Sequence, residues 1–204
     1  MINLPKLVLA SQSPRRAAIL RAVGWKFEKQ IADIDETQFE NENPAGYVLR
    51  LARAKALAVA ENFDDALVLG ADTIVVVGNE IIGKPRDFQD ARRMLRTLSG
   101  RFHEVLTGVA LVKSFGKRLE TKTAFERTRV KFAELSEAEI EFLVEKGEPL
   151  DKAGAYAVQA QAALFIEKIG GDYWNVVGLP IHLVYNLIKN FGTKNDEPFS
   201  KLAS

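Results

Sequence analysis

Asp72 is the residue around which a chemical site can be built. It stands between two apolar runs, LVLGA and IVVV, that read as short buried strands, so that it lies in or beside one of them. A carboxylate held in or beside a packed strand is costly unless a metal, a cation or a hydrogen-bond network compensates it. Lys84 follows across the Gly78-Asn79 turn and can return to the same place; the alternative is a turn aspartate and a surface lysine. A second concentration lies in SQSPRR, where Ser11, Arg15 and Arg16 occupy a strand-to-helix junction. Backbone N–H groups and the positive end of the dipole make a helix N-terminus favourable to anions. Two arginines in that first turn oppose the dipole. An anionic ligand accounts for them, because guanidinium pairs bidentately with phosphate; an ordinary capped helix with solvated arginines is the other reading. Asp33, Asp35 and Glu36 form an acidic corner, of which Asp33 is assigned to a solvated loop. Lys55 lies one position round from a helix's apolar face, where it either reaches a buried anion or snorkels to solvent. This mixture suits phosphoryl chemistry: cations neutralise a polyphosphate and its leaving group, and carboxylates hold Mg²⁺ or activate water.

These residues need elements to hold them. Lys6 to Ala10 predicts a strand, and Ser13-Pro14 supplies the N-cap and first position of a helix that Gly24 stops. Trp25 to Ile34 reads as another strand. Asn43-Pro44 opens a long helix to Phe63, with Tyr47, Leu51, Ala54 and Ala58 as its apolar face. After the central hairpin come a helix near Gln89 to Leu98 and strands over His103 to Lys113 and Thr121 to Phe132. A capping-box helix then runs from Ser136 to Gly147. Asp151 to Gln159 is rich in Ala and Gly, and small residues let backbone approach a ligand. Strands over Ala163 to Ile169 and Tyr173 to Val177 precede a last helix from Gly178-Leu-Pro180 to Phe191.

Composition excludes several classes. Lys and Arg total 28 against 27 Asp and Glu, a net charge of +1, so no global field draws the chain to nucleic acid or an acidic membrane. With Cys at 0 there are no disulfides or thiolate metal sites, which suits a reducing cytosol. Any metal must use oxygen ligands or one of 2 histidines, favouring Mg²⁺ or Mn²⁺ over zinc. His103 and His182 lie in no nucleophile motif and are assigned structural or surface roles. There is no GxxxxGK[ST] phosphate loop, no signal-peptide pattern and no apolar window of membrane-span length.

SQSPRR, the corner ending in Glu36, RLARAKA, GADTIVV with GKPRD, LSGRFHEVLTGVAL, LDKAGAYAVQ and GLP occur in the order and spacing of the Maf family of nucleotide pyrophosphatases. The chain resembles that family from about Leu7 to Phe191. The resemblance implies an α/β fold related to the inosine-triphosphate pyrophosphatases, with a mixed sheet flanked by helices in two lobes and a central cleft. It implies a single domain over 1–192 and a polar tail over 193–204. It implies hydrolysis of the α–β phosphoanhydride of nucleoside triphosphates with a divalent cation, in a homodimer.

By the same resemblance Asp72 is the proton acceptor, and Asp72 and Glu36 hold the metal. Lys55, Lys84 and Glu36 join the catalytic set, and Ser11, Arg15 and Arg16 handle phosphate. SPRR, GADT and DKAGAYAVQ resemble the branch preferring dTTP and UTP, in which Arg15, Thr73 and Gln159 match the specificity positions. A branch acting on 7-methyl-GTP carries SPWRR and GSDQ instead. Two other readings are a nucleotide-binding regulator of septum formation with little turnover, and the inosine/xanthine branch, which the motif set disfavours.

Overall fold

The computed structural model of the chain describes residues 6–192; the tail expected over 193–204 lies outside them. Among the described residues the elements run β1 (Leu7–Ala10), α1 (Pro14–Ala22), β2 (Glu28–Lys29), α2 (Pro44–Ala60), β3 (Asp65–Val77) and β4 (Glu80–Ile82). Then follow α3 (Phe88–Leu98), β5 (Phe102–Phe115), β6 (Arg118–Phe132), α4 (Glu137–Lys146), β7 (Ile166–Gly170), α5 (Tyr173–Val177) and α6 (Ile181–Gly192). The strands form a mixed sheet in the order β2-β1-β3-β5-β6-β7, with β4 paired to β3. β1 pairs parallel to both β2 and β3, while β3–β4 and β6–β7 are antiparallel. The chain thus has the expected α/β class with a mixed sheet and helices.

Two compact units divide the chain. The first takes the residues up to Asp72, Thr107–Glu126 and those from Gly178 on; the second takes Thr73–Leu106 and Arg127–Val177. In the first unit the core follows from period-two strands meeting a helical stripe. Val8 and Ala10 of β1, Ala66 and Val68 of β3, and Ala110 and Val112 of β5 point to one side. They pack on Ala52, Ala56, Val59 and Ala60 of α2. Continuing the β3 series by twos gives Gly70 and then Asp72, on the helix side. A Cβ on Gly70 would stand 2.2 Å from the carbonyl oxygen of Ala52, and one on Gly108 would stand 2.3 Å from that of Val48. Only glycine lets the helix backbone come so close.

The second unit packs α3 against α4. Bidentate pairs, Arg92 with Glu141 at 2.6 and 2.7 Å and Arg96 with Glu137 at 2.9 and 2.5 Å, tie the two helices. The capping box of α4 forms as expected, with the Ser136 Oγ accepting from the Glu139 N–H at 3.3 Å.

Several expectations are corrected. The Trp25 to Ile34 strand shrinks to Glu28–Lys29, which pair with Val8 and Leu9 of β1. Tyr173–Val177 is helical: the Asp172 Oδ1 accepts from the Trp174 and Asn175 N–H groups at 2.7 and 3.3 Å and turns the chain. β7 begins at Ile166, after a 3₁₀ turn over Gln161–Leu164. The buried face of α2 is Val48, Leu51, Ala52, Ala56, Val59 and Ala60, while Ala58 is exposed. The two apolar runs flanking Asp72 and Thr73 are one continuous strand.

Candidate active site

Lys55 is the residue the corrected helix face explains. Val48, Leu51, Ala52, Ala56 and Val59 are spaced so that position 55 falls within the buried stripe. A lysine there is costly unless paired. Its Nζ lies 2.6 Å from the Asp72 Oδ1 and 2.7 Å from the Glu36 Oε1. The Lys55 and Asp72 side chains are 13% and 11% exposed, against 51% for Glu36, so one ammonium joins a buried carboxylate to one facing solvent. The contact rests on Gly70: the close approach of α2 to β3 brings Lys55 to Asp72, the next residue on the same face of the strand. Tyr47, one turn from the start of α2, donates its hydroxyl to the Glu36 backbone carbonyl at 2.9 Å. Burial raises the Tyr47 phenol above its ordinary value, and the charges of Asp72 and Glu36 push the same way.

The SQSPRR junction folds as its caps dictate. Ser13 caps α1, its Oγ accepting from the Arg16 N–H at 3.4 Å, with Pro14 in the first turn. Gly24, at φ 73°, takes the left-handed position after the helix. Arg16 turns inward and is 8% exposed. Its Nε donates to the Gly178 carbonyl at 2.8 Å, and its Nη1 donates to the Ala71 carbonyl at 2.9 Å and the Ser11 Oγ at 3.0 Å. Ser11, also buried, accepts from the Ser13 N–H at 3.2 Å. These bonds tie the guanidinium to the Gly178 backbone, to Ser11 and, through the Ala71 carbonyl, to the strand beside Asp72. Burial pulls Arg16 below its ordinary value, and Asp72 opposes that shift. Arg15 is half-buried in the same turn.

Thr73, Lys84 and Gln159 belong to the second unit. Thr73 is half-buried, and Lys84 and Gln159 are exposed. The Gly154 N–H donates to the Gly83 carbonyl at 3.0 Å, which joins the DKAGAY segment to the residue before Lys84. Gly154 has φ 69°, and a Cβ there would meet the Val75 Cγ2 at 2.9 Å. Lys152 donates to the Glu148 carbonyl and, at 2.6 Å, to the Asp151 Oδ1, so that pair holds its own loop. His103 is buried with its Nε2 2.7 Å from the Tyr156 hydroxyl, and His182 is exposed.

A divalent cation fits the carboxylate pair by donor type. Asp72 and Glu36 offer hard oxygens, and both already face one cationic nitrogen. Among the described residues no group of three or more His, Asp or Glu could hold a metal, so the protein would supply two carboxylates. Mg²⁺ is commonly held by one or two carboxylates, its remaining positions taken by substrate phosphates and water.

Sequence reasoning gave no role at the site to Tyr47, Gly178 or Arg50, although RLARAKA contains Arg50 and GLP contains Gly178. The signal for Tyr47 and Arg50 was their i, i+3 spacing on the helix that carries Lys55. Gly178 acts through its carbonyl, which no residue type announces.

The family model for Maf-like proteins matches residues 6–191. A Symbiobacterium thermophilum protein named dTTP/UTP pyrophosphatase is 50% identical over 189 residues, covering 93% of this chain and 95% of that one. A Hahella chejuensis protein of the same name is 50% identical over 192 residues, covering 93% and 94%. The solved structure of the Staphylococcus aureus Ham1 protein aligns with a TM-score of 0.54 at 15% identity, over 91% of this chain and 99% of that one, a likeness of fold alone. The chain belongs to the Maf-like protein family.

Proposed function

We propose that the chain is a nucleoside triphosphate pyrophosphatase that hydrolyses the α–β phosphoanhydride of dTTP and UTP to the monophosphate and pyrophosphate. The observation that carries this reading is the Lys55 ammonium joined at 2.6 and 2.7 Å to Asp72 and Glu36. The enzyme name borne by relatives at 50% identity supports it, and the regulator reading is not favoured.

In this reading Asp72 takes a proton from the attacking water. A new oxygen–phosphorus bond forms as the bridging oxygen departs with pyrophosphate. Lys55 orients the Asp72 carboxylate, and Arg16 holds the strand carrying it through the Ala71 carbonyl. A bound Mg²⁺ or Mn²⁺, held by Asp72 and Glu36, would supply charge neutralisation on the phosphates. The family resemblance gives Ser11, Arg15, Arg16 and Lys84 to phosphate, and Arg15, Thr73 and Gln159 to the base. Gln159 has a donor and an acceptor for a pyrimidine edge. Cytosolic location rests on the absence of Cys, and a homodimer on the resemblance; sedimentation at micromolar concentration tests the dimer.

The test is pyrophosphate release from dTTP, UTP, CTP, GTP, ITP and 7-methyl-GTP, with Mg²⁺, Mn²⁺ or chelator. The expected result is metal-dependent release fastest from dTTP and UTP. Preference for ITP or 7-methyl-GTP would refute the roles of Arg15, Thr73 and Gln159. Orthophosphate as first product would refute the cleavage position.

A further inference from the structure

We infer that Arg50 is a positioning residue, holding the acidic segment 34–43 so that Glu36 is presented to Lys55 and Asp72. The inference rests on the reading of Glu36 given above. Residues 30–43 contain no helix or strand, so no ladder fixes Glu36. What fixes it is a clamp from α2. The Arg50 Nε and Nη2 donate to the two Glu42 carboxylate oxygens, each at 2.7 Å, and Nη2 also donates to the Thr37 carbonyl at 3.0 Å. The guanidinium lies 3.9 Å from the centre of the Phe39 ring and 5.4 Å from that of Tyr47. Glu42 reaches back to accept from the Phe39 N–H at 3.2 Å. Arg50 thus grips Thr37, Phe39 and Glu42, all in the loop between Glu36 and α2. Tyr47, against the same guanidinium, grips the Glu36 carbonyl itself.

The pair is well covered, with Arg50 25% and Glu42 12% exposed. The Arg50 hydrogen bond holds the Glu42 carboxyl below its ordinary range. The arrangement uses every property that separates arginine from lysine: a planar fork for a carboxylate, a further donor for a carbonyl and a flat face for rings. It is built on one helix that also carries Lys55, so loop and ammonium share a rigid base.

The experiment is a double-mutant cycle in UTP hydrolysis with Arg50→Lys, Glu36→Gln and both together, on the full chain. Arg50→Lys keeps the charge and loses the fork; Glu42→Gln is a second route to the same loss. Each is expected to lower kcat by about 10- to 100-fold, the order that a misplaced group costs. The double variant is expected to match Glu36→Gln alone within about twofold, because Arg50 acts only through Glu36. Chymotryptic cleavage after Phe39 is expected to rise several-fold in Arg50→Lys. Multiplying losses, or full activity in both Arg50→Lys and Glu42→Gln, would overturn the inference and leave the role of Glu36 standing. Full activity in Glu36→Gln would remove that role, and the inference with it.

Discussion

At the residue scale, the site is a set of polar groups that a packed interior tolerates only in company. Arg16 is the plainest case. The resemblance gives it to phosphate, and in the fold it also donates its Nε to Gly178 and its Nη1 to Ala71 and Ser11. Arg16→Met removes charge-assisted bonds from a buried place and should cost roughly 2–4 kcal/mol in urea unfolding. A cost under about 0.5 kcal/mol would return Arg16 to a surface role.

His103 gives a pH signature. Burial holds its imidazole down to about 4, against 6.5 ordinarily. The unfolded chain therefore binds a proton in a range where the folded chain does not. Its contribution is fully present above about pH 6.5 and is lost as pH falls toward about 4, by roughly 3 kcal/mol in all. Urea midpoints between pH 7 and 4.5 should fall less steeply in His103→Phe with Tyr156→Phe than in wild type. Equal slopes would contradict the assignment.

At the scale of elements, the site depends on how closely α2 lies on β3. The sequence foretold both elements and placed Asp72 in or beside a strand. It also marked Lys55 as bordering a core. What it misplaced was the helix face: Tyr47, Ala54 and Ala58 drew the stripe to one side of Leu51, while Ala52 and Ala56, small enough for close packing, help define it. Gly70 lies inside the strand, and its reason is Ala52, distant in sequence. Gly70→Ala puts a methyl against that carbonyl, with no flexible side chain to yield. It should cost about 1–3 kcal/mol of stability and lower kcat, since the helix bearing Lys55 must shift. Wild-type stability and turnover would show that the close approach is not needed. The short β2 and the helical α5 were misread for a related reason: their states are set by partners, Val8 and Leu9 for one and the Asp172 carboxylate for the other.

At the scale of the molecule, class was legible and arrangement was not. Apolar runs and caps announced strands alternating with helices, and the ordered motifs announced the family. The sheet order β2-β1-β3-β5-β6-β7 follows from pairings between distant segments, which no local pattern encodes. The site shares that limit. Asp72, Lys55 and Glu36 were chosen one by one, and only folding shows a single ammonium touching both carboxylates. The claim that this triad carries out hydrolysis is tested most directly by Asp72→Asn, an exchange of one atom at a buried position. Pyrophosphate release from UTP should be measured for wild type and variant at saturating substrate, with the fold of each checked by urea unfolding. If Asp72 is the proton acceptor, kcat falls by about 10²–10⁴ while the variant remains folded. A folded Asp72→Asn chain within tenfold of wild type would contradict the account.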